Sequence, residues 1–206
     1  MTAPLLWWPA GYGEQNLYDL RVVVGPATGK GLAHESRMRL GFRDLRVDAL
    51  PDDIGRSMTI VVNDRPIFAK GANWIPADAL PSRWTRQRMA NLLGSAAQAN
   101  MNCIRVWGGG RYESDAFYEL CDELGLLVWQ DCMFSCALYP STPEFLDNVE
   151  DEIRHQVRRL ANHPAIALWC GNNEALGAIT WYDESKQNPA RYIIDCNATC
   201  PTQCSC

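Results

Sequence analysis

The sequence predicts an α/β fold in which a parallel sheet of βαβ units follows part of an antiparallel β-sandwich. Three observations lead there. After residue 66, four short apolar runs alternate with three helix-length amphipathic segments, the pattern of βαβ units with right-handed crossovers. Over residues 1–64 there is no helical period, and short apolar stretches are punctuated by Gly and Pro, as in antiparallel sandwiches. Each later run also stops at polar or glycine-rich residues: Asn73, Trp107-Gly108, Asp131 and Asn173-Glu174. A parallel sheet whose C-terminal strand ends carry such groups is where this class of fold builds a site.

Taken in order, Leu17 to Val24 reads as a strand with Tyr18, Leu20, Val22 and Val24 on one side, followed by turns at Gly25-Pro26 and Gly29/Gly31. His34 to Leu40 and Arg43 to Leu50 read as strands split at Gly41. Met58 to Val62 is another, closed by an Asn63-Asp64 turn. Ile67 to Asn73 is the first strand of the parallel part and runs into Trp74-Ile75-Pro76-Ala77-Asp78. Thr85 caps a helix to about Ala99, with Leu92, Leu93, Ala96 and Ala97 on its inner stripe. Asn102 to Trp107 is the next strand, and Ser114 or Asp115 starts a helix that runs through Leu124 and stops at Gly125. Leu126 to Gln130 is a strand ending at Asp131. A third helix starts at Pro143 or Glu144 and runs to Asn162, with Phe145, Val149, Ile153, Val157 and Leu160 on its dry face. The last strand is Ala165 to Cys170, an unbroken apolar run that suits burial on both faces. It ends in Gly171-Asn172-Asn173-Glu174. Taken alone, those four residues read as an ordinary turn; at a barrel strand's C-terminal end they place an acid and two amides at a mouth.

Composition narrows the function classes. A net charge of −5 offers no basic surface for nucleic acid or an anionic membrane, and no apolar run is long enough to span a bilayer. Met1 to Ala10 lacks the basic start and apolar length of a signal peptide. No Gly-x-Gly-x-x-Gly opens a helix, which argues against a dinucleotide fold. Eight tryptophans are many for 206 residues, and sugar sites use aromatic faces, although a core position is the default for any one of them. Cys103, Cys121, Cys132, Cys136 and Cys170 lie in apolar segments and read as reduced, buried small hydrophobes, which points towards the cytoplasm. Cys196, Cys200, Cys204 and Cys206 crowd the last eleven residues instead. Their spacings lack a C-x-x-C pair, so the segment 196–206 reads as a frame error or premature truncation rather than a metal site.

Trp7-Trp8-Pro9, Gly41-Phe42-Arg43, Gly71-Ala72-Asn73-Trp74-Ile75-Pro76-Ala77-Asp78, Arg105-Val106-Trp107-Gly108-Gly109-Gly110, Trp129-Gln130-Asp131 and Trp169-Cys170-Gly171-Asn172-Asn173-Glu174 occur in this order. Together they resemble the β-mannosidases of glycoside hydrolase family 2, from about residue 5 to residue 194. The resemblance implies a jelly-roll domain, an immunoglobulin-like sandwich and an eightfold TIM barrel. Residues 1–64 would be the end of the sandwich, residues 65–195 the first half of the barrel, and 196–206 an aberrant tail. It implies Glu174 as general acid/base, Asn173 as the partner of the sugar 2-hydroxyl and Trp107 as a wall of the sugar subsite. Asp131 and Trp181 are further substrate-binding candidates, placed near the mouth by strand-end position. Asn73, Trp74 and Asp78, on the first strand-end loop, divide evenly between substrate contact and loop structure. The implied partners are β-mannoside oligosaccharides or glycans, with no cofactor and no metal.

The chemistry agrees with those residue types. A retaining glycosidase needs one protonated carboxyl to donate to the leaving oxygen and a second about 5–5.5 Å away to form the glycosyl-enzyme. Apolar walls raise the donor's proton affinity, and Trp169 and Trp107 are the expected walls. An amide beside the acid helps because contacts to the 2-hydroxyl strengthen as charge develops. The family's nucleophile is a second Glu on a later strand. The expectation is that this chain ends before it, since Glu184 follows Glu174 too closely, and that these residues alone are inactive. Two other readings stay open at this point: a catalytically dead carbohydrate-binding or interaction module, and a β-glucuronidase or β-galactosidase relative sharing the Asn-Glu pair. The Trp-Gly-Gly-Gly and Asn-Trp-Ile-Pro-Ala-Asp motifs argue for mannose.

Overall fold

The structure, a computed structural model, describes residues 3–27, 31 and 34–187. The tail expected from Cys196 onward lies outside the described residues. The antiparallel part comes first. Strand β1 (Tyr18–Val24) pairs with β2 (His34–Leu40), Tyr18 opposite Leu40. Strands β3 (Leu45–Asp48), β4 (Thr59–Val62) and β5 (Arg65–Ile67) form a separate sheet in that order. Asn63 and Asp64 both sit at positive φ, 49° and 63°. Two left-handed residues in succession suit a tight hairpin turn, because its twist matches that of the flanking strands. Pro66 lies on the edge strand, where its missing N–H costs no ladder bond. Every residue of β1 is exposed, so its alternation faces no second sheet among the described residues.

The parallel part follows as β6 (Gly71–Trp74), α1 (Arg86–Gln98), β7 (Cys103–Val106), α2 (Asp115–Leu124), β8 (Leu127–Asp131), α3 (Pro143–Leu160) and β9 (Ile166–Cys170). Short helices α4 (Ala175–Ala178) and α5 (Asp183–Gln187) complete it. Its strand order is β6-β7-β8-β9, all parallel and without reversal. A sequential order puts successive crossover helices on one face and leaves the other to line an interior, the arrangement of a partial α/β barrel. The strand expected from Ile67 to Asn73 is in fact two. Ile67 is committed to the antiparallel sheet opposite Ile60 by the preceding hairpin turn. The link between them is pinned by buried Asn102, whose side chain accepts from Lys70 N (2.8 Å) and donates to Phe68 O (3.1 Å).

Helices α1 and α3 start where a hydroxyl caps them, whereas Ser114 precedes α2 without a capping bond, its hydroxyl donating to Met89 Sδ (3.8 Å) instead. Thr85 Oγ1 accepts from Arg88 N (3.3 Å), and Thr142 Oγ1 from Phe145 N (3.4 Å) with Pro143 at the first turn. Gly125, at φ +69°, ends α2. Met89 and Leu93 are the buried face of α1, whereas Leu92, expected on the inner stripe, is 46% exposed. One residue is 100° of helix, and that turns Leu92 away from the Met89–Leu93–Ala96 line. On α3 only Leu160 is buried, and Val157 is exposed. Along the sheet, Ile104, Val106, Val128 and Gln130 are buried, and Gln130 accepts from Tyr118 of α2 (2.7 Å). The period of two turns Arg105 and Trp129, which are register partners, to the opposite face.

One continuous core joins the two parts, with Trp7, Ile60, Val62 and Ile67 packed together with Leu93, Phe117, Leu126 and Leu127. Trp7 is fully buried; its backbone N–H donates to Phe42 O (2.8 Å) and its indole N–H to Asp122 O (2.9 Å). Arg43 reaches from the antiparallel part to the entry of β9, donating to Pro164 O (2.9 Å) and Ile166 O (2.5 Å). Asp122 receives Ala165 N (3.0 Å) on one oxygen and faces His163 Nδ1 (2.6 Å) with the other. Burial pushes the Asp122 carboxyl up, against the lowering effect of His163. The Trp7 and Arg43 motifs therefore pin the N-terminal part onto the end of the sheet opposite the strand C-termini. Among the described residues no helix is long and apolar enough to cross a membrane.

Candidate active site

The site grows from the C-terminal ends of β7, β8 and β9. Beyond Cys170 the chain leaves the sheet at Gly171, and Asn172 Oδ1 accepts from Ala175 N (3.2 Å), starting α4. Asn173 is held on every side. Its backbone N–H donates to Phe134 O (2.9 Å) and its carbonyl accepts from Cys136 N (2.9 Å). Its Oδ1 accepts from Arg105 Nη2 (2.8 Å), which settles the amide orientation, because a guanidinium can only donate. Nδ2 then faces Ser135 Oγ (3.4 Å) and Cys136 Sγ (3.3 Å).

Arg105 is the centre of this arrangement. It binds Asp131 through Nε (3.2 Å) and Nη2 (2.6 Å), and Asp131 also accepts from Gly108 N (3.1 Å). Asp131 is fully buried, so its carboxylate serves to orient Arg105 rather than to face the opening. The guanidinium also lies 5.5 Å from the Trp129 ring centroid. Charge-assisted forks of this kind are geometrically demanding, and they hold the amide beside Glu174 in one orientation.

Glu174 itself is exposed, with a left-handed backbone at φ +58°. A non-glycine residue there is strained by about 1–3 kcal/mol, and such residues cluster at functional sites. Cys136 Sγ lies 3.5 Å from Glu174 Oε2, and Cys136 also has positive φ, +52°. Trp107 follows β7 onto the same edge of the sheet and is half-buried. A Cβ on Gly109 would lie 2.0 Å from the Trp107 ring, so the glycine makes room for the indole. A Cβ on Gly108 would meet Phe134 O at 2.7 Å, which explains the bare backbone where the β7 and β8 loops meet.

The structure thus gathers Asn173, Glu174 and Asp131 at one edge, with Trp107 on the adjoining loop. The other expected residues lie outside this cluster. Trp74 is buried, its ring centroid 4.8 Å from Phe117 and its indole N–H donating to Glu113 (3.1 Å). Asp78 accepts from Leu80 N (2.9 Å) and pairs with Arg88 (3.3 Å), organising the start of α1. Trp181 stands half-exposed beyond α4, beside Gly177. Asn73 is exposed on β6 and lines a shallow cavity of about 300 Å³ with Cys103 and Arg105. Trp169, expected as a wall, packs against the core instead.

Arg105, Ser135 and Cys136 are the residues that sequence reasoning missed. Arg105 had a signal, being a charge between Ile104 and Val106 in an apolar strand, where it demands a buried partner. Cys136 and Cys170, expected to be buried, are half-exposed and free. Burial, followed by the charge of Asp131, pushes the Cys170 thiol up, so it stays neutral. No cluster of three or more metal-ligating side chains exists among the described residues. A carboxyl at a rim beside a locked amide suits proton transfer to a polyhydroxylated ligand.

Residues 55–204 match the family model for the TIM barrel domain of family 2 glycosyl hydrolases. The chain is 46% identical over 193 residues to a β-mannosidase of Bos taurus, covering 92% of this chain and 22% of that protein. It is 44% identical over 171 residues to β-mannosidase B of Emericella nidulans, covering 83% of this chain and 20% of that one. Among solved structures, the β-D-mannosidase of Dictyoglomus thermophilum superposes with a TM-score of 0.79 at 49% identity, over 82% of this chain and 21% of that chain. The exo-chitosanase of Amycolatopsis orientalis gives 0.70 at 24% identity, over 81% and 20%, a likeness of fold alone. The chain spans about a fifth of the length of the relatives it matches.

Proposed function

The chain belongs to glycoside hydrolase family 2, and from that premise we propose that the protein carrying it is a retaining exo-β-mannosidase that releases terminal β-D-mannose from oligosaccharides or glycans. The observation that carries the reading is the Asn173-Glu174 pair at the end of β9, its amide locked by Arg105. Glu174 donates a proton to the departing oxygen and then takes one from the water that completes the double displacement. Asn173 presents its amide to the sugar 2-hydroxyl, and Trp107 supplies an apolar wall. Asp131 supports the amide through Arg105. The nucleophile is a second Glu on a later barrel strand, in part of the protein beyond these residues, so the 206-residue polypeptide alone does not turn over. Because β5 pairs with β4, the end of the immunoglobulin-like sandwich is read as reaching Ile67 rather than residue 64, and the first half of the barrel as running from residue 68 to 195. Identities of 44–46% to β-mannosidases support mannose over other sugars.

The test is hydrolysis of p-nitrophenyl β-D-mannoside by the full-length protein. Glu174→Ala is expected to lose about 10²–10⁴-fold on β-1,4-mannobiose, whose leaving group needs a proton, and less on the aryl mannoside. Added azide should restore turnover and yield the β-mannosyl azide. A Glu174→Ala variant with unimpaired turnover would end the assignment, and cleavage of a β-glucuronide in preference to the mannoside would redirect the substrate.

A further inference from the structure

Cys136 stands in the loop between β8 and α3, and nothing in the proposed reaction uses it. The loop is built rather than loose. Ser135 N donates to Tyr139 Oη (2.6 Å), Tyr139 Oη donates back to Ser135 O (3.2 Å), and Phe134 packs edge-on against Tyr139 at 4.9 Å. Two backbone hydrogen bonds clamp it to the end of β9: Asn173 N to Phe134 O and Cys136 N to Asn173 O, both 2.9 Å. These fix the thiol beside the acid.

The donors around the sulfur decide what its hydrogen does. Asn173 Nδ2 donates to Sγ at 3.3 Å, with the amide orientation set by Arg105, and Ser135 Oγ donates at 3.2 Å. Both neighbours therefore treat the sulfur as an acceptor. Among the described residues the one remaining polar contact is Glu174 Oε2 at 3.5 Å, and the S–H hydrogen is directed to it. The contact joins two left-handed residues, Cys136 and Glu174, each held at an unfavourable backbone angle by the same pair of strand ends.

We propose that Cys136 is a positioning residue for Glu174, its thiol joining Asn173 to the carboxyl and holding the proton donor in one rotamer at the rim. The role rests on the glycosidase reading. The third strand-end loop thereby aims the acid on the fourth, in a chain running Asp131, Arg105, Asn173, Cys136, Glu174.

The test uses the full-length protein with two substrates, β-1,4-mannobiose, whose leaving group needs a proton, and 2,4-dinitrophenyl β-D-mannoside, whose leaving group does not. Cys136→Ala should lower kcat/KM on mannobiose about tenfold and on the activated mannoside less than about twofold. Cys136→Ser, which keeps a donor, should recover most of the loss. Equal losses on both substrates, or none on either, would overturn the proposal. A second readout needs no turnover. The S–H stretch isolated as the infrared difference between wild type and Cys136→Ser should move towards the free-thiol frequency in Glu174→Ala. An unmoved band in an active enzyme overturns the positioning role alone. A wild type inert on both mannosides overturns the glycosidase reading, and the positioning role with it.

Discussion

Replacing Arg105 by Met would strip Asp131 of both guanidinium bonds, at 3.2 and 2.6 Å, and leave its fully buried carboxylate, among the described residues, with Gly108 N alone. Removing one partner of a buried ion pair costs about 3–5 kcal/mol, because the remaining charge is uncompensated. Since each 1.36 kcal/mol is a factor of ten, amides of β7, β8 and β9 should exchange roughly two to four orders of magnitude faster. Hydrogen exchange of the full-length protein, read by mass spectrometry on peptides covering 103–106, 127–131 and 166–170, measures this directly. The double variant Arg105→Met/Asp131→Leu removes both charges and should regain most of the protection, as apolar replacements of buried pairs do. Turnover should stay low in both variants, because Asn173 Oδ1 has lost the donor that orients its amide. Unchanged exchange in the single variant, or a double variant no better protected, would refute the reasoning.

Gly125→Val should be among the worst substitutions in the chain. The left-handed backbone alone costs about 1–2 kcal/mol, and a Cβ would approach Ala10 N to 2.6 Å; a lower thermal midpoint and a release of the N-terminal segment to proteolysis would report it. Thr85→Ala should cost about 1 kcal/mol through loss of the α1 cap, with faster exchange confined to the first turn of that helix. Asp122, raised first by burial, holds its proton to higher pH when folded than when unfolded. The folded state then binds more protons between the ordinary carboxylate value and the raised one, so its contribution is full below that window and is lost as pH rises through it. The stability difference between wild type and Asp122→Asn, measured by denaturant titration across pH, should therefore move in the variant's favour as pH rises; the opposite slope would contradict it. The 206-residue polypeptide expressed alone should bind ANS strongly, given Ile54 at 98% and Phe68 at 76% exposure, and a dim signal would count against that expectation.

Local signals carried most of the fold. Thr85, Pro143 and Gly125 mark helix ends because the start and stop of a helix are settled within a turn of the chain. The Asn63-Asp64 turn was equally plain. The split between Ile67 and Gly71 was not, because it depends on which distant strand each residue meets and on the Asn102 side chain that pins the link. Leu92 and Leu93 are chemically alike, and only the docking angle of α1 decides which is buried. At the site, Asn173 and Glu174 were legible through the motif they share with Trp169 and through their place at a strand end, since the four residues 171–174 alone read as a turn. Cys136 was not, since a thiol in apolar company resembles a core residue until its partner across the loop is seen. Trp74 shows the converse, a motif tryptophan whose ring belongs to the core.

Arg43 and Trp7 give the molecule a mechanical property. Strand β9 is tethered at its entry by a guanidinium from the antiparallel part and carries the acid at its exit. Any tilt of the leading sheet would be transmitted along five residues to the rim. A barrel excised at residue 68 would lose that tether, expose the carbonyls of Pro164 and Ile166 and empty the socket that the Trp7 indole fills. Engineers swapping barrels between relatives would need to carry residues 7 and 41–43 with them, as parts of the machine rather than of its packaging.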